Sequence, residues 1–97
     1  MKVRPALCLT SENGKHEHVV VAFISSIIPK NIESSDLVIN KNDSEFKKTG
    51  LRVSSIVRLH KIISIPKELI RSKLGIIGKD NGQKIISKLL ELFELDP

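Results

Sequence analysis

Apolar positions along this chain follow one period in its front two thirds and another at its back. "RPALCLT" (residues 4–10) and "VVVAFISSII" (19–28) are apolar runs of strand length, separated by the polar "SENGKHEH", whose Asn13-Gly14 pair is a strong hairpin turn signal. The two runs are therefore expected as neighbouring antiparallel strands. Pro29 ends the second, "KNIESS" reads as loop, "DLVI" (36–39) reads as a short third strand, and the polar "NKNDSEFKKTG" (40–50) reads as connection.

"LRVSSIVRLHKIISI" (51–65) alternates almost strictly. Val53, Val57, Leu59, Ile63 and Ile65 are expected on one side, and Arg52, Ser54, Arg58, His60 and Ser64 on the other, because successive strand side chains point to opposite faces. Lys61 interrupts the apolar side, so either a bulge falls there or that face is wet. The period then changes. "PKELIRSKLG" (66–75) is expected to be a helix with Pro66 in its first turn and Gly75 as its C-terminal cap. In residues 80–95, Ile85, Ile86, Leu89, Leu90 and Phe93 recur at helical spacing, which places Lys84, Lys88 and Glu91 on the outer face.

With 97 residues the chain has length for one core and one domain, spanning 1–97, and it shows no repeat, low-complexity tract or linker. The interior must be aliphatic, since there are three Phe and no Tyr or Trp. Cys8 is the only cysteine, which excludes an intrachain disulfide; inside an apolar strand it reads as a small buried hydrophobe. No apolar run approaches the roughly 18–20 residues that span a bilayer, and the N-terminus has no signal-peptide pattern, so a reduced cytoplasm is the expected location.

Charge changes the picture more than composition does. The formal net charge is +5, and between Lys47 and Lys73 Glu68 is the only acid among the lysines and arginines. A basic segment of this kind is either a solvated face or a polyanion-binding footprint. On the second reading Arg52, Arg58 and Lys61 contact phosphates while Lys47 and Lys48 supply field. His16 and His18 have H-x-H spacing, but no third ligand stands out, so no metal and no cofactor is expected. His60, beside Arg58 on the polar side of its strand, is a candidate for proton transfer near neutral pH. No phosphate-binding glycine loop, nucleophile elbow or redox cysteine pair is present, and no helix-turn-helix with a basic recognition helix suggests a DNA-binding regulator.

Taken together, "KVRPALCLT", "VVVAFISS" and "TGLRVSSIVRLHKIISIPKELIRSKLG", followed by a terminal amphipathic helix, resemble the MazF/PemK family of toxins of type II toxin-antitoxin systems. The resemblance covers nearly the whole chain. It implies an α+β, mainly β fold: a small, curved SH3-like β-barrel carrying a short helix and a C-terminal amphipathic helix. It also implies a homodimer that cleaves single-stranded RNA without metal and is neutralised by a cognate antitoxin.

Arg4 matches the arginine of the family's R-P-A motif, and Ser25 a position where the family commonly has threonine; Ser26 is its neighbour should the register differ by one. The implied chemistry is attack of the ribose 2′-OH on the adjacent phosphorus. Members usually begin with a G-D-I-V type strand ahead of the K-x-R-P-A stretch, so this sequence is expected to lack the usual first strand, by a late start, by truncation or as a subfamily trait. That feature and the serine at position 25 favour the alternative of a degenerate or truncated module that binds RNA or antitoxin without cleaving.

Overall fold

The computed structural model describes residues 3–11 and 14–94. Four strands, β1 (Ala6–Cys8), β2 (His18–Ser25), β3 (Asp36–Ile39) and β4 (Ser55–Pro66), form one antiparallel sheet in the order β1-β2-β4-β3. The expected hairpin of the first two runs is present, with Ala6 opposite Phe23 and Cys8 opposite Val21. Asn13, the residue on which the turn expectation rested, lies outside the described residues.

β4 curls the sheet. Between the pairs Ala22↔Ile62 and Ile24↔Val57, β4 runs through Arg58, Leu59, His60 and Lys61 while β2 offers only Phe23. The irregularity expected at Lys61 is therefore real and larger than one residue, and such insertions bend a strand and increase its twist. The bend divides the labour of β4. Its first part lies between β3, from Ile39↔Ser55 to Asp36↔Arg58, and the end of β2, at Ile24↔Val57 and Ser25↔Ile56, while its last part pairs with β2 alone out to His18↔Pro66. The result is a mainly β, curled half-barrel sheet, in keeping with the small SH3-like β-barrel that the resemblance implied.

The concave side is filled by Ala22, Ile24, Leu37, Ile39, Val57 and Leu59, closed by Phe46 and by Ile85 of α2 (Lys79–Leu92). The polar 40–50 segment, expected as plain connection, contains the short helix α1 (Phe46–Thr49). One apolar residue explains it: Phe46 drops into the core at 8% exposure, and the Thr49 hydroxyl donates to the Phe46 carbonyl at 2.6 Å while accepting from the Leu51 N–H at 3.1 Å. Gly50 closes the turn in the left-handed region at φ 73°.

The helix expected over residues 66–75 does not form. Lys67–Leu69 makes one 3-10 turn, Ile70 is extended, and residues 70–78 cross the end of α1 without regular structure. Tertiary contact outweighs local propensity here. The Ile76 N–H donates to the Lys48 carbonyl at 2.7 Å, and a Cβ on Gly75 would sit 2.2 Å from that same oxygen, so Gly75 is a close-approach glycine and not a helix cap.

Several expected facings also change. Cys8 is exposed, because Leu7 and Leu9 take the core side of β1 and alternation turns Cys8 away. Val53 and Ile63, assigned to the buried side of 51–65, are 49% and 45% exposed, since Val53 precedes β4 and Ile63 follows the bend that reverses the alternation. On α2, Ile85 is buried and Leu89 half-buried, but Ile86, Leu90 and Phe93 stay exposed, so the helix lies on the sheet along a narrower stripe than its sequence offers. Lys88, expected to point outward, donates from Nζ to the Ser34 carbonyl at 2.7 Å. Asn81 is buried at the start of α2 and donates to Asp43 at 3.3 Å.

Candidate functional site

The face of the sheet opposite the core carries the chemistry. With Leu7 and Ile24 on the core side, alternation puts Arg4, Ala6 and Cys8 of the β1 segment and Phe23 and Ser25 of β2 on the other side. The Ile24 N–H donates to the Pro5 carbonyl at 3.0 Å, which carries the β1–β2 register one residue past its formal start. Continued one step more, that register sets Arg4 level with Ser25 across adjacent strands. Arg4 is exposed and Ser25 half-buried, its Oγ accepting from the Ile27 N–H at 3.1 Å, which fixes the rotamer but leaves the hydroxyl proton to donate. Ser26 is exposed just beyond β2.

On β4, Ile56 pairs with Ser25, and Arg58 stands two residues further on the same face. There the structure supplies a residue that sequence reading passed over. Asp36, whose side chain is 0% exposed, receives Arg58 Nε on Oδ1 at 3.2 Å and the Glu33 N–H on Oδ2 at 2.9 Å. His60 Nδ1 points into the same cluster, 3.2 Å from Ser35 Oγ, 3.5 Å from Glu33 Oε2 and 3.7 Å from Asp36 Oδ1. Two carboxylates and a hydroxyl around Nδ1 favour a proton on that nitrogen and leave Nε2 as the acceptor.

Arg58 is thus half-buried and already partnered, whereas Arg52 and Lys61 are exposed, Arg52 ahead of β4 and Lys61 at the bend. The signal for Asp36 was present as an acid opening the DLVI strand; only the pairing Asp36↔Arg58, 22 residues apart in sequence, shows its partner. His16 and His18 do not join this site. They line a polar depression with Thr10, Lys15 and Ser64 at the far end of β2, and among the described residues no group of three His, Cys, Asp or Glu side chains could hold a metal ion.

A small curled antiparallel sheet with an irregular, basic fourth strand and two helices packed against it defines the fold class. The sequence comparison is more specific: residues 1–93 match the PemK-like, MazF-like toxin of type II toxin-antitoxin systems, and the chain belongs to that family. No curated protein sequence gives a significant match.

The fold is that of solved relatives. It is similar to the Mycobacterium tuberculosis toxin MazF-mt6 at TM-score 0.78 and 21% identity, over 97% of this chain and 89% of that one. It is similar to an Mtb toxin at TM-score 0.74 and 19% identity, over 91% and 90%. An endoribonuclease from a mycobacterial species aligns at TM-score 0.74 and 16% identity, over 97% and 83%. Among the described residues no helix is long and apolar enough to cross a membrane.

Proposed function

We propose that this chain is a toxin endoribonuclease that cleaves single-stranded RNA selectively and without metal, in the cytoplasm, and is neutralised by a cognate antitoxin. The observation that carries this reading is the β1–β2 register, which, continued past Pro5, would bring Arg4 level with Ser25, with Arg58 one step and His60 two steps along the same face of β4. Family membership and the endoribonuclease among the structural neighbours support it.

The geometry suits a reaction whose nucleophile resides in the substrate. The ribose 2′-oxygen bonds to the adjacent phosphorus as the P–O5′ bond breaks, leaving a 2′,3′-cyclic phosphate and a 5′-hydroxyl; the 2′ proton departs to a base and an acid returns one to the 5′ oxygen. Arg4 clamps the phosphoryl oxygens and stabilises charge that grows in the transition state. Ser25 donates a hydrogen bond that orients the phosphate. His60, with Nδ1 anchored, is the group for proton transfer through Nε2. Arg52 and Lys61 extend phosphate contact along the RNA, and Ser26 borders the same path. Arg58 serves this surface mainly through Asp36, which holds it in place.

The chain acts as a homodimer in this reading, consistent with strand edges at β1 and β3 and with the exposed Ile86, Leu90 and Phe93 stripe. An acidic antitoxin segment covering Arg52 and Lys61 would block RNA entry.

Incubation of the purified chain with a long single-stranded RNA in EDTA, alongside Arg4→Ala, tests the enzyme reading. Discrete cuts bearing cyclic phosphate, lost in Arg4→Ala, are expected. RNA left intact by a folded chain would overturn the enzyme in favour of a toxin-like module that binds RNA or antitoxin without cleaving, the reading that Ser25 in place of threonine favours.

A further inference from the structure

Phe23 shares the site face yet has no part in the chemistry above. β2 is an inner strand with neighbours on both sides, and from Val19 to Ile24 every other residue is buried or half-buried while Phe23 remains 41% exposed. Exposure of one phenyl ring is ordinary on a protein surface. Its surroundings are not. The cross-strand partner on β1 is Ala6, whose methyl leaves that flank of the ring open, and on the other side the β2–β4 register breaks across Arg58–Lys61, so that no β4 residue pairs with Phe23. Ser25, level with Arg4, is two residues along β2, a step of about 6.6–6.8 Å. That separation is within the reach of one nucleotide from its phosphate to its base.

The chain has three phenylalanines and no tyrosine or tryptophan; Phe46 is in the core and Phe93 on α2, so Phe23 is the aromatic group available to this face. We propose that Phe23 is a stacking platform for the RNA base adjacent to the phosphate held by Arg4 and Ser25. The inference rests on the RNA-cleaving reading and deepens it. A phenyl ring offers no hydrogen bond, so it selects by stacking area alone: it accepts any base, favours the larger purines modestly, and fixes where along the strand the phosphate sits. The guanidiniums supply attraction that is blind to sequence; the ring supplies a position.

Phe23→Trp tests this directly, because it gives the chain its sole indole. Titration with 2′-O-methyl oligonucleotides, which cannot be cut, is expected to quench that indole, and an abasic site at one particular position is expected to abolish the quenching. Phe23→Leu, which keeps apolar bulk without a π face, is expected to bind the same oligonucleotides roughly tenfold more weakly. Equal binding by Phe23→Leu, or quenching indifferent to every abasic position, would overturn the platform while leaving the ribonuclease intact. Loss of antitoxin affinity in Phe23→Leu with RNA affinity unchanged would also overturn it, making the ring an anchor for protein. A wild-type chain that binds the oligonucleotides but never cuts removes only the enzyme reading, since the quenching pattern is read on uncut strands. One that neither binds nor cuts removes both.

Discussion

Asp36 and Arg58 show how much one pairing alters the meaning of a charge. Arg58 looks in sequence like one more phosphate contact, yet it spends its Nε on a carboxylate shielded from water. Removing it strands Asp36: Arg58→Ala is expected to destabilise the fold by about 3 kcal/mol, and adding Asp36→Asn to recover a large part of that loss, as chemical denaturation of the four members of the cycle would show. A double variant no more stable than Arg58→Ala would mean that the pair contributes little. Ser25 is the complementary case. Its Oγ position is held by the Ile27 N–H, so Ser25→Thr, which adds a rotamer-restricting methyl, should cleave RNA at least as fast as the native chain, while Ser25→Ala should lose about tenfold in kcat/KM. Equal rates for all three would remove the hydroxyl from the mechanism. Both residue types were legible in sequence; the acid that neutralises Arg58 was not, because 22 residues separate the partners.

Among the elements, the strands were legible and the connections were not. Apolar runs bounded by turn residues located β1, β2 and β3, alternation located β4, and the 3.6-residue period located α2. α1 was invisible because four residues are too few to show a period, and it exists through Phe46 alone. Phe46→Ala should therefore cost about 3–5 kcal/mol, a loss measurable as a lowered urea midpoint. The 66–75 segment misled in the opposite sense: its composition suits a helix, but its backbone is engaged by α1. Gly75→Ala would drive a Cβ into the Lys48 carbonyl and should lower stability by more than 2 kcal/mol; a neutral result would show that the crossing relaxes easily.

For the whole molecule, net charge and curvature act together. In the proposed function the +5 charge would draw in RNA of any sequence, and the face shared by Ser25, Arg58 and His60 would receive it. Binding of a 2′-O-methyl oligonucleotide should weaken with salt, and each of Arg52→Ala and Lys61→Ala should lower the log–log slope by about 0.7 if each side chain neutralises one phosphate. An unchanged slope would place the RNA elsewhere. By itself the sequence determined the four strands and the C-terminal helix, the basic balance, the family and the Arg4–Ser25 candidates, because these reside in local periodicity, composition and short motifs. Only the tertiary structure decided that Ala6 pairs with Phe23 and Ser25 with Ile56, that Asp36 claims Arg58, that Phe23 stays an exposed ring on its strand, and that residues 70–78 stay unwound. Each depends on strand register or on contact between segments far apart in the chain, and local pattern does not encode the free energy of those contacts.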